Sequence, residues 1–249
     1  MPRAPSPRVN WLTHLLPPFY SYALLSLTAI MSTTQAFQLP PLIKLDDKSS
    51  IQQQHSYTPD ANWVIPDILM QGRQPSLGAR SLADNIRQLR EDACISTFVC
   101  LQAEAAPQSA DNANVVILGG AVSSNTDHSY AKEAAQFGDS PPKFVHFGIQ
   151  DFSTIESLDD LCLLCNYLER RIREGDVLYV HCFGGKGRAG LVCACLLGTL
   201  YSELSASEAL QRIQAYASTR SGGKRLVSSP ETMQQENQVR EYFRLLGRK

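Results

Sequence analysis

Hydrophobic and polar residues alternate along the chain from residue 62 in segments that predict strands and helices in turn. Short apolar runs bounded by Gly, Pro or charged residues are typical of strands covered on both faces. Strands are predicted at residues 63–66, 68–70, 94–101, 143–149 and 176–180. Apolar residues at helical spacing predict helices at residues 80–91, 157–173, 190–201, 206–216 and 229–246. This alternation predicts an α/β fold.

Polar residues at three of the helix starts support these boundaries. Ser157 is expected to cap the second long helix. Ser205 with Glu208 has the spacing of a capping box. Ser229 followed by Pro230 predicts the start of the last helix, since Pro is favoured at the first helical position.

The first 61 residues differ from the rest of the chain. They are Pro-rich and basic at the start, then apolar, then polar, and we expect residues 1–61 to form a disordered or targeting segment before a folded domain at 62–249. Within that domain, residues 105–140 are rich in small polar residues and predict an insertion loop with a short helix near 130–137.

The location of the protein stays open between two alternatives. Arg3 and Arg8 precede an apolar run at 22–30, as in the first two regions of a targeting peptide. The stretch around Ala36-Phe37 resembles the cleavage junction of the plastid-targeting leaders of diatoms and related algae. If Met31 is the true start, a short tail and a cytoplasmic protein are expected instead.

The charge balance argues against two classes of partner. The 249-residue chain has 23 Lys and Arg against 24 Asp and Glu, a net charge of −1. No overall positive field is therefore available for nucleic acid or for an anionic membrane surface. No stretch reaches the roughly 18 uninterrupted apolar residues that membrane insertion needs.

The cysteine pattern favours a reducing compartment. Seven cysteines are an odd number in a chain too long to need disulfides, and most lie in apolar runs. Cys162 and Cys165 have CxxC spacing, but they lie on an apolar helical pattern with no second pair of ligands, so we expect core packing rather than zinc. No metal and no cofactor are predicted.

The segment at 181–190, His-Cys-Phe-Gly-Gly-Lys-Gly-Arg-Ala-Gly, lies between a predicted strand and a predicted helix. Its glycines allow the backbone N–H groups to turn inward as an anion-binding nest, and the helix directs its positive dipole end to the same place. Cys182 stands where these groups and Arg188 favour the nucleophilic thiolate. Arg188 offers a planar fork of donors for two phosphoryl oxygens.

Two other interpretations of this segment remain. Residues 185–190 formally satisfy GxGxxG, but a dinucleotide fold usually carries that fingerprint in its first βαβ unit, and here only about sixty residues follow. A purely structural Gly-rich turn with a core cysteine would leave Lys186 and Arg188 unexplained.

The pattern His181-Cys182-x5-Arg188 resembles the HCxxGxxR signature of the protein tyrosine phosphatase superfamily. It is most similar to the compact dual-specificity branch, particularly the kinase-associated, cyclin-dependent-kinase-inhibitor-like phosphatases and their plant and algal relatives. The resemblance covers roughly residues 62–242. It implies a three-layer cysteine-phosphatase fold, with a mostly parallel central sheet of four to five strands and helices on both faces, and a catalytic domain at 62–249.

The resemblance also implies a two-step reaction. Cys182 attacks phosphorus to form a phosphocysteine while Asp151 protonates the leaving oxygen, and the same aspartate then activates water. Glu156 and Asp159 are the alternative acids. His181 is expected to tune the thiolate from behind the loop, and Gln235 is the candidate for positioning water. The residues expected to bind the substrate phosphate are Phe183, Gly184, Gly185, Lys186, Gly187, Arg188 and Ala189.

Ala189 departs from the family pattern. Most relatives carry Ser or Thr there, whose hydroxyl supports the departing thiolate, so we expect a slow second step. The implied partner is a phosphorylated protein, with phosphotyrosine as the first substrate and phosphoserine and phosphothreonine allowed. Lys186 keeps phosphorylated inositols open, and a phosphate-binding module without turnover is the alternative from another class.

Overall fold

The computed structural model describes residues 37–78, 80–105, 115–121, 130–221 and 228–248. Within these ranges the strands are β1 (Ser56–Thr58), β2 (Ala61–Ile65), β3 (Leu69–Arg73), β4 (Thr97–Gln102), β5 (Val115–Gly120), β6 (Lys143–Ile149) and β7 (Leu178–Cys182). The helices are α1 (Lys48–His55), α2 (Leu82–Arg87), α3 (Tyr130–Ala134), α4 (Leu158–Arg173), α5 (Gly187–Leu200), α6 (Ala206–Ala217) and α7 (Met233–Leu245).

The described strands form one sheet in the order β1-β2-β3-β7-β4-β6-β5. The pairs β1–β2 and β2–β3 are antiparallel, and all the other neighbours are parallel. The predicted mostly parallel sheet is confirmed, although it has seven strands rather than four to five. Strand β7 lies between β3 and β4, and all its residues are buried. The loops that follow these parallel strands therefore meet at one edge of the sheet.

Helices cover both faces of the sheet, which confirms the predicted three layers. On one face α5 is almost entirely buried and packs against α4, α6 and α7. On the other face α2 and α3 close a core whose large side chains come from alternate positions of the strands. Its largest members are Trp63, Met70, Ile86, Leu89, Phe98, Tyr130, Phe144 and Tyr179.

Strand β5 lies inside the stretch 105–140 that the sequence predicted as an insertion loop. It pairs in parallel with β6 at the edge of the sheet, and its side chains are exposed or half-buried. An edge strand that buries little has no strong apolar alternation, so the pattern could not show it. The short helix predicted near 130–137 is present as α3.

Two helix starts differ from the prediction. Helix α5 begins at Gly187 rather than at residue 190, which places Arg188 in its first turn. Helix α7 begins at Met233 with Thr232 as its N-cap, and Ser229 lies before it. By contrast, Ser157 and Ser205 cap α4 and α6 as predicted.

The compact unit that contains the sheet begins at Leu39. Helix α1 and strand β1 lie before residue 62, in the stretch that the sequence analysis placed outside the folded domain. The sequence pattern did not predict this helix because the stretch is mostly polar. Two residues of α1, Ile51 and His55, are nevertheless buried. No helix in the described ranges is long and apolar enough to span a bilayer.

A buried carboxylate joins the amino-terminal edge of the sheet to α4. Asp176 accepts hydrogen bonds from Thr97 at 2.7 Å, from Lys143 at 2.8 Å and from Nε of Arg171 at 2.8 Å. Burial alone would raise the pKa of Asp176, but these hydrogen bonds outweigh it and hold the pKa below its ordinary value of 3.8. A carboxylate with a lowered pKa stabilises the fold above that ordinary value, and this contribution is lost as the pH falls through the folded-state pKa.

We expect Asp176→Asn to lower the free energy of unfolding at pH 7 by about 3 kcal/mol, because the buried carboxylate loses the charge that pairs with Arg171 and Lys143. The difference from the wild type should shrink as the pH falls below about 4, where the wild-type carboxylate becomes protonated. Urea denaturation between pH 2.5 and 7 measures both effects. Glu174→Gln, which removes the exposed partner of Arg171, is the control and should cost less than about 1 kcal/mol. Equal losses in the two variants would contradict the interpretation.

Candidate active site

The loop between β7 and α5 is held by hydrogen bonds to its backbone carbonyl oxygens. Gln71 of β3 donates from Nε2 to the oxygen of Gly185 at 2.9 Å. Ser229 donates from Oγ to the oxygen of Lys186 at 3.0 Å, and Gln71 also donates to Ser229 Oγ. Because these carbonyl oxygens bond to the neighbouring strand and to Ser229, the loop can present its N–H groups to an anion.

The conformation of the loop requires glycine at position 185. Its φ angle is +66°, which is favourable only without a side chain. A Cβ there would lie 2.2 Å from the carbonyl carbon and oxygen of Gly72, so the loop packs directly on the backbone of β3. The first turn of α5 follows at once, and its dipole adds positive potential at the same place.

Cys182 is the last residue of β7 and is 3% exposed. It lies in a cleft of about 500 Å³. The cleft is lined by Pro59, Asp60, Arg73, Asp151, Phe152, Cys182, Phe183, Gly184, Lys186, Gly187, Arg220 and Glu231. Of the seven loop residues predicted to bind phosphate, Phe183, Gly184, Lys186 and Gly187 line the cleft, whereas Gly185, Arg188 and Ala189 are buried and do not line it.

Arg188 is 1% exposed and is surrounded by acceptors. Its Nη1 donates to Glu104 at 2.6 Å and to the carbonyl oxygen of Ile149 at 3.0 Å. Its Nη2 lies 2.9 Å from Glu104 and 2.9 Å from Oδ1 of Asp151. Its Nε is buried and has no hydrogen-bond partner in the described part of the chain. One donor of the guanidinium is therefore left for a ligand.

The charges of Arg188 and Glu104 stabilise each other. Burial lowers the pKa of Arg188, but hydrogen bonding to Glu104 and the charge of Cys182 outweigh it, so the pKa lies above its ordinary value. Burial would raise the pKa of Glu104, but Arg188 holds it below its ordinary value. Sequence reasoning missed Glu104. The available signal was its position directly after the buried strand β4, which neighbours β7.

Asp151 follows β6 and reaches the cleft beside Cys182 and Arg188. Its carboxylate is half exposed, and its neighbour Phe152 has a φ angle of +58°, in a region that bulky residues seldom adopt. The two alternative acids do not line this cleft. Glu156 lines a separate cavity, and Asp159 lies on α4.

His181 is buried behind the loop and lies outside the cleft lining. Its Nε2 lies 2.9 Å from the hydroxyl of Tyr130, and the two rings meet edge to face. Burial raises the pKa of Tyr130 well above its ordinary value, so this hydroxyl keeps its proton at neutral pH. Helix α3, from the predicted insertion, thereby supports the residue next to the cysteine.

Gln235 is buried at the start of α7, and both polar atoms of its side chain are engaged. Its Oε1 accepts from the backbone N–H groups of Glu231 at 3.0 Å and Thr232 at 3.2 Å. Its Nε2 donates to the carbonyl oxygen of Ser153 at 3.0 Å. Gln235 therefore connects α7 to the loop that carries Asp151.

No group of three or more His, Cys, Asp or Glu side chains in the described ranges is arranged to hold a metal ion. Lys186, Arg73 and Arg220 supply positive charge on the surface of the cleft. Arg188 is buried next to it, in contact with the lining residue Asp151. The arrangement suits an oxyanion next to a cysteine sulfur.

Comparison with known proteins agrees with this geometry. The family model described as "Swiss Army Knife protein, DSP-PTPase phosphatase domain" matches residues 58–239. No curated protein matches the chain.

Solved structures share the fold. A mutant form of Tk-PTP is 23% identical, with a TM-score of 0.50, over 76% of this chain and 97% of that one. The kinase associated phosphatase (KAP), with its catalytic-site cysteine replaced by serine, is 18% identical, with a TM-score of 0.51, over 72% of this chain and 87% of that one.

PTPMT1 in complex with PI(5)P is 14% identical, with a TM-score of 0.50, over 75% of this chain and 96% of that one. These likenesses show the fold, and the family model covers most of the chain. The chain therefore belongs to the DSP-PTPase phosphatase domain family and is a dual-specificity-phosphatase-like enzyme of the protein tyrosine phosphatase superfamily.

Proposed function

We propose that the protein hydrolyses phosphate monoesters through a phosphocysteine on Cys182, with Arg188 binding the phosphoryl group and Asp151 as the acid. The observation that carries this proposal is the environment of Arg188. Its Nη atoms are fixed by Glu104, Ile149 and Asp151, while its buried Nε has no hydrogen-bond partner among the described residues. A phosphate oxygen would supply the missing acceptor.

In the first step Sγ of Cys182 attacks phosphorus, so that an S–P bond forms as the bond to the leaving oxygen breaks. Asp151 gives its proton to that oxygen. The loop N–H groups and Arg188 stabilise the charge on the remaining phosphoryl oxygens. In the second step Asp151 takes a proton from water, which attacks phosphorus, and Cys182 departs as thiolate with release of inorganic phosphate.

Oδ1 of Asp151 lies 2.9 Å from Nη2 of Arg188, the guanidinium that is proposed to bind the phosphoryl group, and Asp151 lines the cleft. This contact supports its assignment as the acid, because a general acid must lie within hydrogen-bond reach of the oxygen that it protonates.

Hydrolysis of phenyl phosphate in EDTA with reductant should fall to background in Cys182→Ser. Asp151→Asn should lower kcat/KM, which reports the first step, by about 100-fold or more, because an unassisted leaving oxygen departs as an anion. The loss should be smaller for p-nitrophenyl phosphate, whose leaving group needs the proton less. Steady-state kinetics of both substrates measure this difference.

Asp159→Asn is the matched control, since it makes the same chemical change on an exposed residue outside the cleft. It should leave both rates unchanged. An Asp159→Asn defect with normal activity in Asp151→Asn would overturn the assignment of the acid.

Ala189 lies in the first turn of α5 and has no hydroxyl to stabilise the departing thiolate. We expect phosphoenzyme to accumulate, so that p-nitrophenol appears in a burst before the steady state. Ala189→Ser should reduce the burst and raise the steady-state rate. Rapid-mixing kinetics test this, and an identical burst and rate in both proteins would show that the second step is not slow for this reason.

Phosphotyrosine in proteins is the substrate that the cleft supports best. Phe152 is 59% exposed and Phe183 is 48% exposed, and both line the cleft of Cys182. Exposed aromatic side chains at a cleft can stack on a phenyl ring, which phosphotyrosine offers and phosphoserine does not.

Phe183→Ala should therefore lower kcat/KM for a phosphotyrosine peptide by about three- to tenfold. The same change should have little effect on a phosphoserine peptide of matched sequence. Kinetics on the two peptides measure the ratio, and Leu163→Ala, at an exposed apolar residue of α4, is the control. Equal losses on both peptides would argue against stacking.

A further inference from the structure

Arg220 is a buried cation with neutral hydrogen-bond partners. It is 7% exposed and lies in the short helical turn at Ser218–Ser221. Its Nε donates to Oδ1 of Asn62 at 2.6 Å, and its Nη2 donates to the carbonyl oxygen of Gln71 at 3.0 Å. Among the described residues it forms no ion pair with a carboxylate, and its hydrogen bonds there come from Nε and Nη2 and not from Nη1.

A buried guanidinium without a counter-ion is costly, so its place in the molecule is informative. Burial lowers the pKa of Arg220, which reflects that cost. Arg220 lines the cleft of Cys182. The side of the cation that the protein leaves unpaired is therefore available to an anion in the cleft.

Arg73 adds a second guanidinium on the same wall. It is the register partner of Cys182 on the neighbouring parallel strand, so the two side chains leave the sheet on the same face from backbones about 5 Å apart. Its Nη1 lies 3.5 Å from Asp60, and its buried Nε has no partner in the described part of the chain.

Lys186 is half-buried in the loop after Cys182, lines the same cleft and forms no ion pair among the described residues. Asp60 and Glu231 are the other carboxylates that line the cleft, besides Asp151. Asp60 pairs with Arg73, and Glu231 pairs with none of the three cations. The cleft thus carries three cationic side chains, Arg73, Lys186 and Arg220, in addition to Arg188, which by itself can bind one phosphate.

We propose that Arg73, Arg220 and Lys186 form a second oxyanion site in the cleft, which binds a second phosphate group carried by the substrate beside the one that Cys182 attacks. This inference rests on the proposed hydrolysis of phosphate monoesters. The second phosphate must lie close to the first, because Arg73 and Cys182 are neighbours across two strands. It could come from an adjacent phosphorylated residue of a peptide or from the ring of a phosphorylated inositol.

Two substrate pairs test the site and distinguish its sources. The first is a phosphotyrosine peptide with and without a phosphothreonine beside the phosphotyrosine, and the second is myo-inositol bisphosphate with its monophosphate. In the wild type, kcat/KM for the doubly phosphorylated member of one pair should exceed that of the other member by at least about tenfold, chiefly through KM. The pair that shows the preference identifies the source.

Arg73→Gln should reduce this preference to less than about twofold. Arg220→Gln should do the same if the protein folds, and Arg220→Lys, which keeps the charge, should retain part of the preference. Arg240→Gln is the matched control: Arg240 is 41% exposed against 39% for Arg73, each pairs with one carboxylate, and Arg240 lies outside the cleft. It should leave the preference unchanged.

Absence of a preference in both pairs, or equal losses on both members of a pair in Arg73→Gln, would overturn the second site. Activity on the monophosphates reports separately on the proposed function. If no substrate is hydrolysed, calorimetry with myo-inositol bisphosphate and the doubly phosphorylated peptide replaces the kinetics. Binding about tenfold weaker in Arg73→Gln than in the wild type would still support the site, and equal binding of both ligands would overturn it.

Discussion

The buried guanidinium of Arg188 is the group around which the cleft is organised. A guanidinium that is 1% exposed needs partners for its charge and its donors, and residues from two different segments supply them to its Nη atoms. Glu104 follows β4, Ile149 ends β6 and Asp151 follows it. The side chain of Arg188 in α5 therefore holds the segments that follow β4 and β6 next to the cysteine loop. A planar fork suits this task better than an ammonium would.

The chemistry of the loop could be predicted from sequence because it is local. His181 to Gly190 carry the nucleophile, the flexible backbone and the cation within ten residues, and the strand before them and the helix after them have clear apolar patterns. The helix caps at Ser157 and Ser205 were predictable for the same reason, since a cap and its N–H partner are three residues apart. Asp151 was reached only through the family resemblance.

The groups that surround this loop could not be predicted, because their roles depend on contacts between distant segments. Glu104 is 84 residues from Arg188, and Tyr130 is 51 residues from His181. Arg220 reaches Gln71 across 149 residues of sequence. Strand β5 was missed because it lies at an exposed edge of the sheet, where its side chains show no buried apolar pattern. Position 229 was misjudged as a helix cap because its hydroxyl binds the carbonyl oxygen of Lys186 instead.

Gln71 anchors the cysteine loop to the sheet. Its amide reaches Gly185 and Ser229 from the interior of β3, and its own carbonyl oxygen accepts from Arg220. The loop is thus joined to an inner strand of the sheet by fully buried hydrogen bonds, and it cannot open without exposing them. The loop should therefore change its backbone conformation only in a sub-global opening that separates β3 from β7, and not by local fraying. The site therefore has the stability of the sheet and not that of a surface loop.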